Sequence, residues 1–474
     1  MEYKNIKFGE LSAEEEIDKS PDLVTDGFYD FKGVVKSILN GPEFLILGNK
    51  GSGKSIVGEH LKATSGIQSD GSQRFVSKFG MKDFPFKSFS KIIPGDEGPE
   101  TKLPTAWQWA LLVQVILSFQ NDFGKSNEFD TEFGNAISNL KKMGILPSIS
   151  ISELARISGA NEFKIKIMSF ELSGDLTATK ATDLMFSQVV AHLRGVSMHL
   201  QSPNKHFIII DGLDDQLSEK NNQFKAIATL IDEAGTLNKL FREHHVPMKI
   251  VVLCRKDIHS KLPGANKNKI NSYTITLNWY EDQVEPKEKN IVKLAQFRAQ
   301  KSGLKGNLFD RHFQTKYAGN KDAIEYLLDN TRYTPRDFLR LLTEIQNFKK
   351  DFDSVTTSDI DKAVKRYSTD YFWPEIEDEL DGYCERKYIA KFKQALIHYQ
   401  NREFNFSDFV AFCKQHEYEL PDIKKMFEVM YDCGAISNRI ENGKFFSKMR
   451  DGNDFNERQT ISIHRGAIKA LGLG

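Results

Sequence analysis

Short apolar runs alternate with amphipathic segments through the first 280 residues of the chain. Three runs have the length of buried strands, at Glu43–Leu47, His206–Ile210 and Lys249–Cys254. Helix-forming segments follow the first two runs, at Ser55–Lys62 and Asn222–Glu243. Because strands that alternate with helices favour a mostly parallel sheet covered by helices, the pattern predicts an α/β three-layer sandwich.

The separation between the first two runs is much larger than a simple strand–helix–strand unit needs. Residues 80–200 are therefore predicted to form a largely helical insertion in the sandwich. Within this insertion, a helix is expected to open at Thr105 and to carry Trp107 and Leu111, and a strand is expected at Phe163–Phe170.

The remainder of the chain is predicted to form two further domains. Residues 284–370 are strongly helical, with amphipathic spacing at Ile291–Ala299 and Phe338–Phe348. After about Glu385 the pattern predicts three helices, then a hairpin, a last strand and a short terminal helix, which is the order of a winged-helix domain. The segments behind this prediction are Lys387–Tyr399, Ser407–Gln415, a third helix after Asp422 that ends at Gly434, the Asn442-Gly443 turn and the strand Thr460–Ile463. The predicted domain limits are residues 1–280, 281–384 and 385–474.

Amino-acid composition does not change the predicted fold, but it indicates where the protein is located in the cell. The chain has 65 Lys and Arg against 65 Asp and Glu, so net charge does not indicate nucleic acid or a membrane as a partner. The N-terminus is polar, and the longest apolar stretch, Trp107–Phe119, is too short to span a bilayer. The four cysteines form no zinc-binding spacing. We expect a soluble cytoplasmic protein with reduced cysteines and no membrane contact.

The chemistry-bearing motif with the highest specificity is G-x-x-x-x-G-K-S, directly after the first apolar run. Glycines in such a loop let successive backbone N–H groups point at a phosphate. Lys54 then supplies a cation at the β- and γ-phosphates, and the Ser55 hydroxyl is a ligand for Mg²⁺. The sequence predicts a P-loop for ATP with Mg²⁺, and the predicted nucleotide-binding residues are Gly48, Asn49, Lys50, Gly51, Ser52, Gly53, Lys54, Ser55 and Ile56.

The second apolar run ends in an acidic sequence, FIIIDGLDD. A strand that ends in Asp211 is what a magnesium-binding Walker B carboxylate requires, because the carboxyl ends of parallel strands meet at one edge of the sheet. ATP hydrolysis also needs a group that orients water. Asp214 is favoured for this role and Asp215 is the second choice, and the alternative for both is a helix N-cap.

Two later arginines are candidates for sensing the γ-phosphate. Arg255 ends the third apolar run, with a surface arginine as the alternative reading. Arg336 follows Pro335 in the first turn of a predicted helix, where a cation opposes the helix dipole. This placement favours another partner for Arg336, such as a phosphate, over a solvated side chain. Arg194 is a weak candidate for an arginine finger.

Together, GNKGSGKS, IIIDGLDD, VVLCRKD and TPRDFLRLL resemble the STAND and origin-recognition branches of the AAA+ ATPases. More closely, FGELSAEEE, the KGSGKS core and the ending SIHRGAIKALGL resemble a bacterial P-loop ATPase family found in mobile and defence-associated gene neighbourhoods. The resemblance implies that residues 281–384 are a helical lid. It also implies a sensor-1 place for Arg255, a sensor-2 place for Arg336, and an adenine-contacting place for Tyr29, for which core packing is the favoured alternative.

The resemblance also implies a function. We expect an ATP-binding and ATP-hydrolysing switch that forms a homo-oligomer and controls a separate effector protein, with antiphage defence as the hypothesis for its role. In this reading the winged helix packs on the nucleotide domain and stabilises an ADP-bound closed state. The alternative is a DNA-binding, origin-recognition-like ATPase or loader, although Lys424, Lys425 and the wing lysines are offset by nearby acids.

Overall fold

A computed structural model of the chain describes most of its residues. The described residues are 1–93, 98–127, 130–145, 149–158, 170, 182–213, 220–264, 267–313, 316–317, 321–348, 354–440, 445–447 and 452–473. The predicted strand at Phe163–Phe170 falls almost entirely outside these residues, and so do Asp214, Asp215 and the Asn442-Gly443 turn.

The strands, labelled in chain order, are β1 (Leu45–Gly48), β2 (Gly66–Ile67), β3 (Gln73–Gly80), β4 (Ser126–Asn127), β5 (Leu200–Gln201), β6 (Lys205–Asp211), β7 (Met248–Arg255), β8 (Thr274–Leu277), β9 (Lys316–Tyr317), β10 (Lys321–Asp322), β11 (Glu403–Phe404), β12 (Ile436–Arg439), β13 (Phe445–Phe446) and β14 (Thr460–Ile463).

The α-helices, labelled in the same way, are α1 (Ala13–Lys19), α2 (Pro21–Thr25), α3 (Val34–Asn40), α4 (Lys54–Ala63), α5 (Phe86–Phe89), α6 (Pro99–Gln120), α7 (Asp130–Lys142), α8 (Ile151–Ser158), α9 (Thr182–Met198), α10 (Lys220–Glu243), α11 (Lys256–Lys261), α12 (Lys267–Asn271), α13 (Asn290–Lys301), α14 (Leu308–His312), α15 (Ala323–Asp329), α16 (Pro335–Phe348), α17 (Thr357–Tyr367), α18 (Trp373–Asp381), α19 (Arg386–Tyr399), α20 (Phe406–Gln415), α21 (Ile423–Asp432) and α22 (Arg465–Leu471). Short 3₁₀-helices precede or join some of them, and a π-helical turn at Ser368–Phe372 leads into α18.

The chain divides into two compact units. One unit, here the sheet unit, comprises residues 32–47 and 54–276. The other, here the lid unit, comprises residues 1–31, 48–53 and 277–474. The first 31 residues therefore group with the C-terminal half of the chain rather than with the sheet.

A six-stranded sheet organises the sheet unit, in the order β2-β3-β6-β7-β1-β8. β3, β6 and β7 are parallel neighbours, with Gly80 opposite Asp211 and Ile210 opposite Val252, whereas the short β2 pairs antiparallel with β3. The residues of β6 from His206 to Asp211 are all buried, which explains why this strand is a continuous apolar run. The fold is mixed α/β with a parallel-rich sheet and many helices, compatible with the predicted P-loop-type sandwich.

The helices of the predicted insertion pack into the core of the sheet unit. α6 is buried along most of its length, and its Trp107 indole donates a hydrogen bond to the Ala226 carbonyl of α10 at 2.9 Å. Trp109 donates to the Ser158 hydroxyl of α8 at 3.1 Å. α6 begins at Pro99 rather than at the predicted Thr105, because Pro99 occupies the first turn, where its missing N–H is not needed. None of the helices in the described part of the chain is long and apolar enough to cross a membrane.

A fully buried histidine ties the start of β6 to the end of α6. His206 has no exposed surface, and its Nδ1 and Nε2 lie 2.8 Å from the Ser118 hydroxyl and 3.0 Å from an Asp122 carboxylate oxygen. Ser202 and Asn204 donate further hydrogen bonds to the Asp122 carboxylate. Although the three side chains have the order Ser–His–Asp, they are enclosed by protein and stacked against Phe119, so we interpret them as a structural network.

In the lid unit, the N-terminal residues are fixed to the middle helical segment (residues 290–372) by buried polar contacts. Arg298 of α13 forms a bidentate pair with Glu16 of α1, at 2.6 and 3.0 Å, and both side chains are buried. The Tyr3 hydroxyl donates to the Leu342 carbonyl of α16 at 2.9 Å. These contacts explain why the first 31 residues belong to this unit.

A second buried ion pair sets the start of α16. Arg332 donates to both carboxylate oxygens of Asp337 at 2.7 and 2.8 Å, and the Tyr371 hydroxyl donates to the same carboxylate at 3.1 Å. Burial on its own raises the pKa of Asp337, but Arg332 outweighs it and holds this pKa down at about 2. The loop before α16 is therefore anchored from both α16 and the π-helical turn.

The C-terminal segment (residues 386–473) combines three helices with a four-stranded antiparallel sheet. The helices are α19, α20 and α21, and the sheet order is β11-β14-β12-β13. Phe392, Phe409 and Phe427, one from each helix, meet in edge-to-face contacts. The middle helix begins at Phe406 with Asn405 at its N-cap, one residue before the predicted start at Ser407. β12 and β13 pair antiparallel as the hairpin prediction requires.

The buried His206 predicts an acid-sensitive sheet unit. Burial lowers the pKa of His206 to about 4, against the opposing effect of Asp122. Because the unfolded chain binds this proton near the ordinary pKa of about 6.5, stabilisation by neutral His206 is complete above that pH. It is lost as the pH falls from there to about 4, and amounts to on the order of 3 kcal/mol.

We expect the wild type to lose more stability between about pH 7 and pH 5 than His206→Gln does, as measured by denaturant unfolding followed by circular dichroism. His244→Gln, at an exposed position of the same unit, is the matched control and should titrate like the wild type. Equal pH dependence in the wild type and His206→Gln would contradict this account of the network.

Candidate functional site

The glycine loop (Gly48–Gly53) joins the end of β1 to the first residue of α4. Gly51 and Gly53 have φ angles of 78° and 93°, in the left-handed region that glycine adopts at little cost. A side chain at Gly48 would also collide with the loop, because its Cβ would lie 2.2 Å from the Ser52 hydroxyl. The conformation therefore requires glycine where the motif has it, and α4 starts at Lys54, followed by Ser55 and Ile56.

Two residues of the lid unit hold the backbone of the glycine loop. The Trp279 indole donates to the Ser52 carbonyl at 2.9 Å, and the Arg336 N–H donates to the Gly51 carbonyl at 3.3 Å. The Arg336 Cβ lies 3.1 Å from where a Cβ on Gly51 would be, so the two backbones are in close contact. In both of these hydrogen bonds the loop contributes a carbonyl oxygen as the acceptor.

The Arg336 side chain is half-buried beside this loop. Within the described part of the chain, its guanidinium forms no ion pair or hydrogen bond, in contrast to Arg332 four residues earlier. The structure thus brings Arg336 to the loop, as the sequence predicted. Its predicted contact with a phosphate stays a prediction.

Lys50 connects the glycine loop to α18. Its ammonium lies 3.1 Å from a carboxylate oxygen of Glu375 and 3.6 Å from one of Glu379, which are one helical turn apart. Both carboxylates are mostly buried. α18 follows directly on the middle helical segment and leads into the C-terminal segment, so a loop residue is tied to the helix that joins the two.

An aromatic cluster flanks the same loop. Phe31 stacks on Trp279 with ring centroids 3.9 Å apart, and Tyr29 lies 6.4 Å from Trp279. The Tyr29 hydroxyl donates to Asn290 at 2.8 Å, and burial raises the pKa of Tyr29. Sequence reasoning selected Tyr29 but missed Trp279, because β8 was not predicted and no motif marks Trp279, which lies two residues after that strand.

Asp211 ends β6 in the sheet unit, and its carboxylate is held on both oxygens. One oxygen accepts the Gly212 N–H at 2.9 Å, and the other lies 3.0 Å from the ammonium of Lys78 on β3. Lys78 also pairs with Glu59 of α4 at 2.6 Å. Burial lowers the pKa of Lys78, but the two carboxylates outweigh this effect and raise it above its ordinary value. Sequence reasoning found Asp211 and missed both Lys78 and Glu59.

Arg255 ends β7 and is paired within its own turn. Its guanidinium donates to both carboxylate oxygens of Asp257, at 3.0 and 2.9 Å. Burial acts to raise the pKa of Asp257, and Arg255 lowers it below its ordinary value. In the sheet, β7 stands between β6 and β1, so Arg255 follows the strand between those that lead to Asp211 and to the glycine loop. Arg194 is exposed on α9.

Ser55 and Asp211 offer oxygen ligands that suit Mg²⁺, which prefers one or two carboxylates together with phosphate and water oxygens. Ser55 and Glu59 are one turn apart on α4, so they share a face of this helix. Among the residues that the structure describes, no group of three or more His, Cys, Asp or Glu side chains is arranged to hold a metal ion.

Comparison with known proteins adds one partial match. Residues 289–373 match a family described as the FunZ-associated C-terminal helical domain. The match spans α13 to the first residue of α18, and so includes Arg332, Arg336 and Asp337. It covers well under half of the chain. Among curated proteins, the comparison finds no significant match.

Proposed function

We propose that this protein is an ATP-dependent molecular switch of the STAND/AAA+ type, which binds ATP with Mg²⁺ in a P-loop and hydrolyses it slowly. The observation that carries the proposal is the set of contacts made by the glycine loop. Its G-x-x-x-x-G-K-S sequence has the chemistry of a phosphate cradle, and its backbone and Lys50 contact the middle helical segment and α18. A phosphate in the loop would therefore act on the contacts that fix these helices.

The strand order supports the assignment of the predicted site residues. β1 leads to the P-loop, β6 ends in Asp211, and β7 between them ends in Arg255. Residues at the ends of neighbouring strands are the usual ligand-binding residues of open α/β sheets. In the proposal, Lys54 contacts the β- and γ-phosphates and Ser55 and Asp211 hold Mg²⁺, which neutralises phosphate charge when it is bound. Asp214 or Asp215 orients the attacking water.

The Arg336 guanidinium, for which the described residues provide no ion pair or hydrogen bond, supports a sensor role. Its backbone is fixed to Gly51, and its side chain is half-buried with no partner among the described residues. A desolvated guanidinium gains from an anion such as a γ-phosphate. Arg255 is different, because it would share or exchange its Asp257 partner on contact with nucleotide. Tyr29 and Trp279 are proposed to contact the adenine.

The C-terminal segment is proposed to be a winged helix that packs within the chain. His464 stacks on Phe372, and its Nε2 lies 3.1 Å from the Thr331 carbonyl in the loop that leads to Arg336. The lysines of its third helix are paired with acids, Lys424 with Glu457 and Lys425 with Glu428. These pairs reduce the charge available to a DNA backbone and favour the intramolecular role over the DNA-binding alternative. Lys444 and Lys448 of the predicted wing lie outside the described residues.

The wider role follows from the resemblance and from the matched helical domain, and it remains part of the proposal. The nucleotide state would set the contacts of α18 and the C-terminal segment, and thereby the assembly of a homo-oligomer. The oligomer would control a separate effector protein, and antiphage defence is the proposed setting.

Lys54→Ala is expected to abolish nucleotide binding, because the loop loses its cation at the β- and γ-phosphates. A fluorescent ATP analogue titrated against the purified chain measures this change. Lys62→Ala removes an exposed lysine of the same helix and should bind like the wild type. Undiminished binding by a folded Lys54→Ala variant would remove the P-loop assignment.

Arg336→Ala is expected to weaken ATP binding roughly 10- to 100-fold and ADP binding much less, because a charge-assisted contact to the γ-phosphate is worth about 1.5–3 kcal/mol. Competition titrations with ATP and ADP measure the ratio of the two affinities. Arg311→Ala, at an exposed position of α14, is the control. An equal loss for ATP and ADP would contradict a sensor role.

The double variant Glu375→Gln/Glu379→Gln is expected to bind ATP more tightly, by about three- to tenfold, because it removes two carboxylates that hold Lys50 and repel phosphates. Titration of the fluorescent analogue and a native mass measurement with ATP test binding and assembly together. Glu377→Gln is the matched control, since Glu377 lies on the same helix and pairs with Lys393 instead. A double variant that binds ATP no more tightly than this control would rule out the coupling through Lys50.

A further inference from the structure

Three charged side chains from three elements of the sheet unit meet at the end of β6. Lys78 comes from β3, Glu59 from α4 and Asp211 from β6, and their side chains are only 9%, 10% and 10% exposed. Because both carboxylates lie within 3.0 Å of one ammonium, they are close neighbours of each other. With all three ionised, the cluster carries one net negative charge.

Packing alone does not account for this cluster. A buried ion pair seldom stabilises a fold more than apolar side chains of the same volume would, because desolvation of the charges costs about as much as their attraction returns. The backbone of β3 moreover pairs with β6 from Arg74 to Gly80, so its place in the sheet does not require a charged side-chain contact. A lysine that bridges two buried carboxylates is therefore a candidate for a role in the chemistry of the site.

The positions of the partners specify that role. Asp211 is the proposed carboxylate ligand of Mg²⁺, and one of its oxygens is occupied by the Lys78 ammonium. Glu59 lies one turn after Ser55 on the same face of α4, so the second partner of Lys78 comes from the helix that supplies the proposed hydroxyl ligand. The ammonium thus lies where a cation that serves both Asp211 and a phosphate would be needed.

We propose that Lys78 is a built-in cation of the nucleotide site, which allows the protein to hold a nucleoside di- or triphosphate without Mg²⁺. The proposal rests on the proposed nucleotide-binding function. In the absence of Mg²⁺, the ammonium neutralises Asp211 and screens the phosphates from both carboxylates. When Mg²⁺ is present, Glu59 retains Lys78 while the Asp211 oxygen becomes available, so the ammonium does not have to leave the site.

This role predicts that removal of Lys78 changes the Mg²⁺ dependence of nucleotide binding, which a purely structural role does not predict. A lysine that only stabilises the fold would, on removal, weaken nucleotide binding equally with and without Mg²⁺. A built-in cation, in contrast, matters most when no other cation is present. The ratio of the two nucleotide affinities therefore reports the role of Lys78 independently of ATP hydrolysis.

The test measures the dissociation constant of the full chain for ADP and for a non-hydrolysable ATP analogue, once in excess Mg²⁺ and once in excess EDTA. For Lys78→Met we expect binding in EDTA to weaken at least tenfold and binding in Mg²⁺ to change less than about threefold. Lys78→Arg keeps the charge and should stay close to the wild type. Lys82→Met removes an exposed lysine two residues after β3 and is the matched control.

Lys78→Met leaves two buried carboxylates without their cation and could prevent folding. A second variant is therefore included that leaves only one of these carboxylates. Lys78→Met/Glu59→Gln removes the ammonium and one carboxylate, and so keeps the net charge of the cluster. It is expected to show the same increase in Mg²⁺ dependence. An affinity ratio equal to that of the wild type in either folded variant overturns the role of Lys78. A wild type that binds nucleotide in neither condition would instead overturn the proposed function itself.

Discussion

The conformation of the glycine loop is the constraint on which the rest of the candidate site depends. Its left-handed glycines place α4 at Lys54, and its carbonyls are taken by the Trp279 indole and the Arg336 N–H. These two donors bind the Ser52 and Gly51 carbonyls, while the Ser52 N–H donates to the Asn49 carbonyl at 3.1 Å, so the loop backbone is fixed both from outside and from within. Arg332 and Asp337 secure this arrangement, because they fix the turn from which Arg336 approaches the loop.

The sequence predicted the strands of this site better than the contacts around them. Continuous apolar runs identify β6 and β7 because parallel strands are buried on both faces, and the runs end within one or two residues of the observed strands. β3 is not among the three predicted apolar runs, because its residues are half-buried and its sequence is interrupted by polar positions. Lys78 was missed with it, since its contact with Asp211 depends on a register between strands more than 100 positions apart.

The helix boundaries show where local signals mislead. Thr105 and Ser407 each looked like a helix start, but Pro99 and Asn405 lie at the true starts, a few residues earlier. Thr105 and Ser407 both lie inside a helix, although each is a residue type that is common at helix N-termini. Tertiary packing decides which of the possible start residues the helix uses. Trp279 carried no local signal at all. Its role follows only from where the chain returns to the glycine loop after β8.

Lys50 and Lys78, each within its own unit, have the same kind of electrostatic surroundings. Lys50 lies beside Glu375 and Glu379, and Lys78 lies between Glu59 and Asp211. Each lysine is thus already neutralised by carboxylates, so a polyphosphate gains from it only in competition with them. Lys54 differs, because it belongs to the motif that is proposed to bind the phosphates directly. In the proposed switch, the free energy of nucleotide binding would be divided between holding the nucleotide and changing the partners of Lys50 and Lys78. That division is what a switch requires, because a ligand moves a conformational equilibrium only through interactions that differ between its two states.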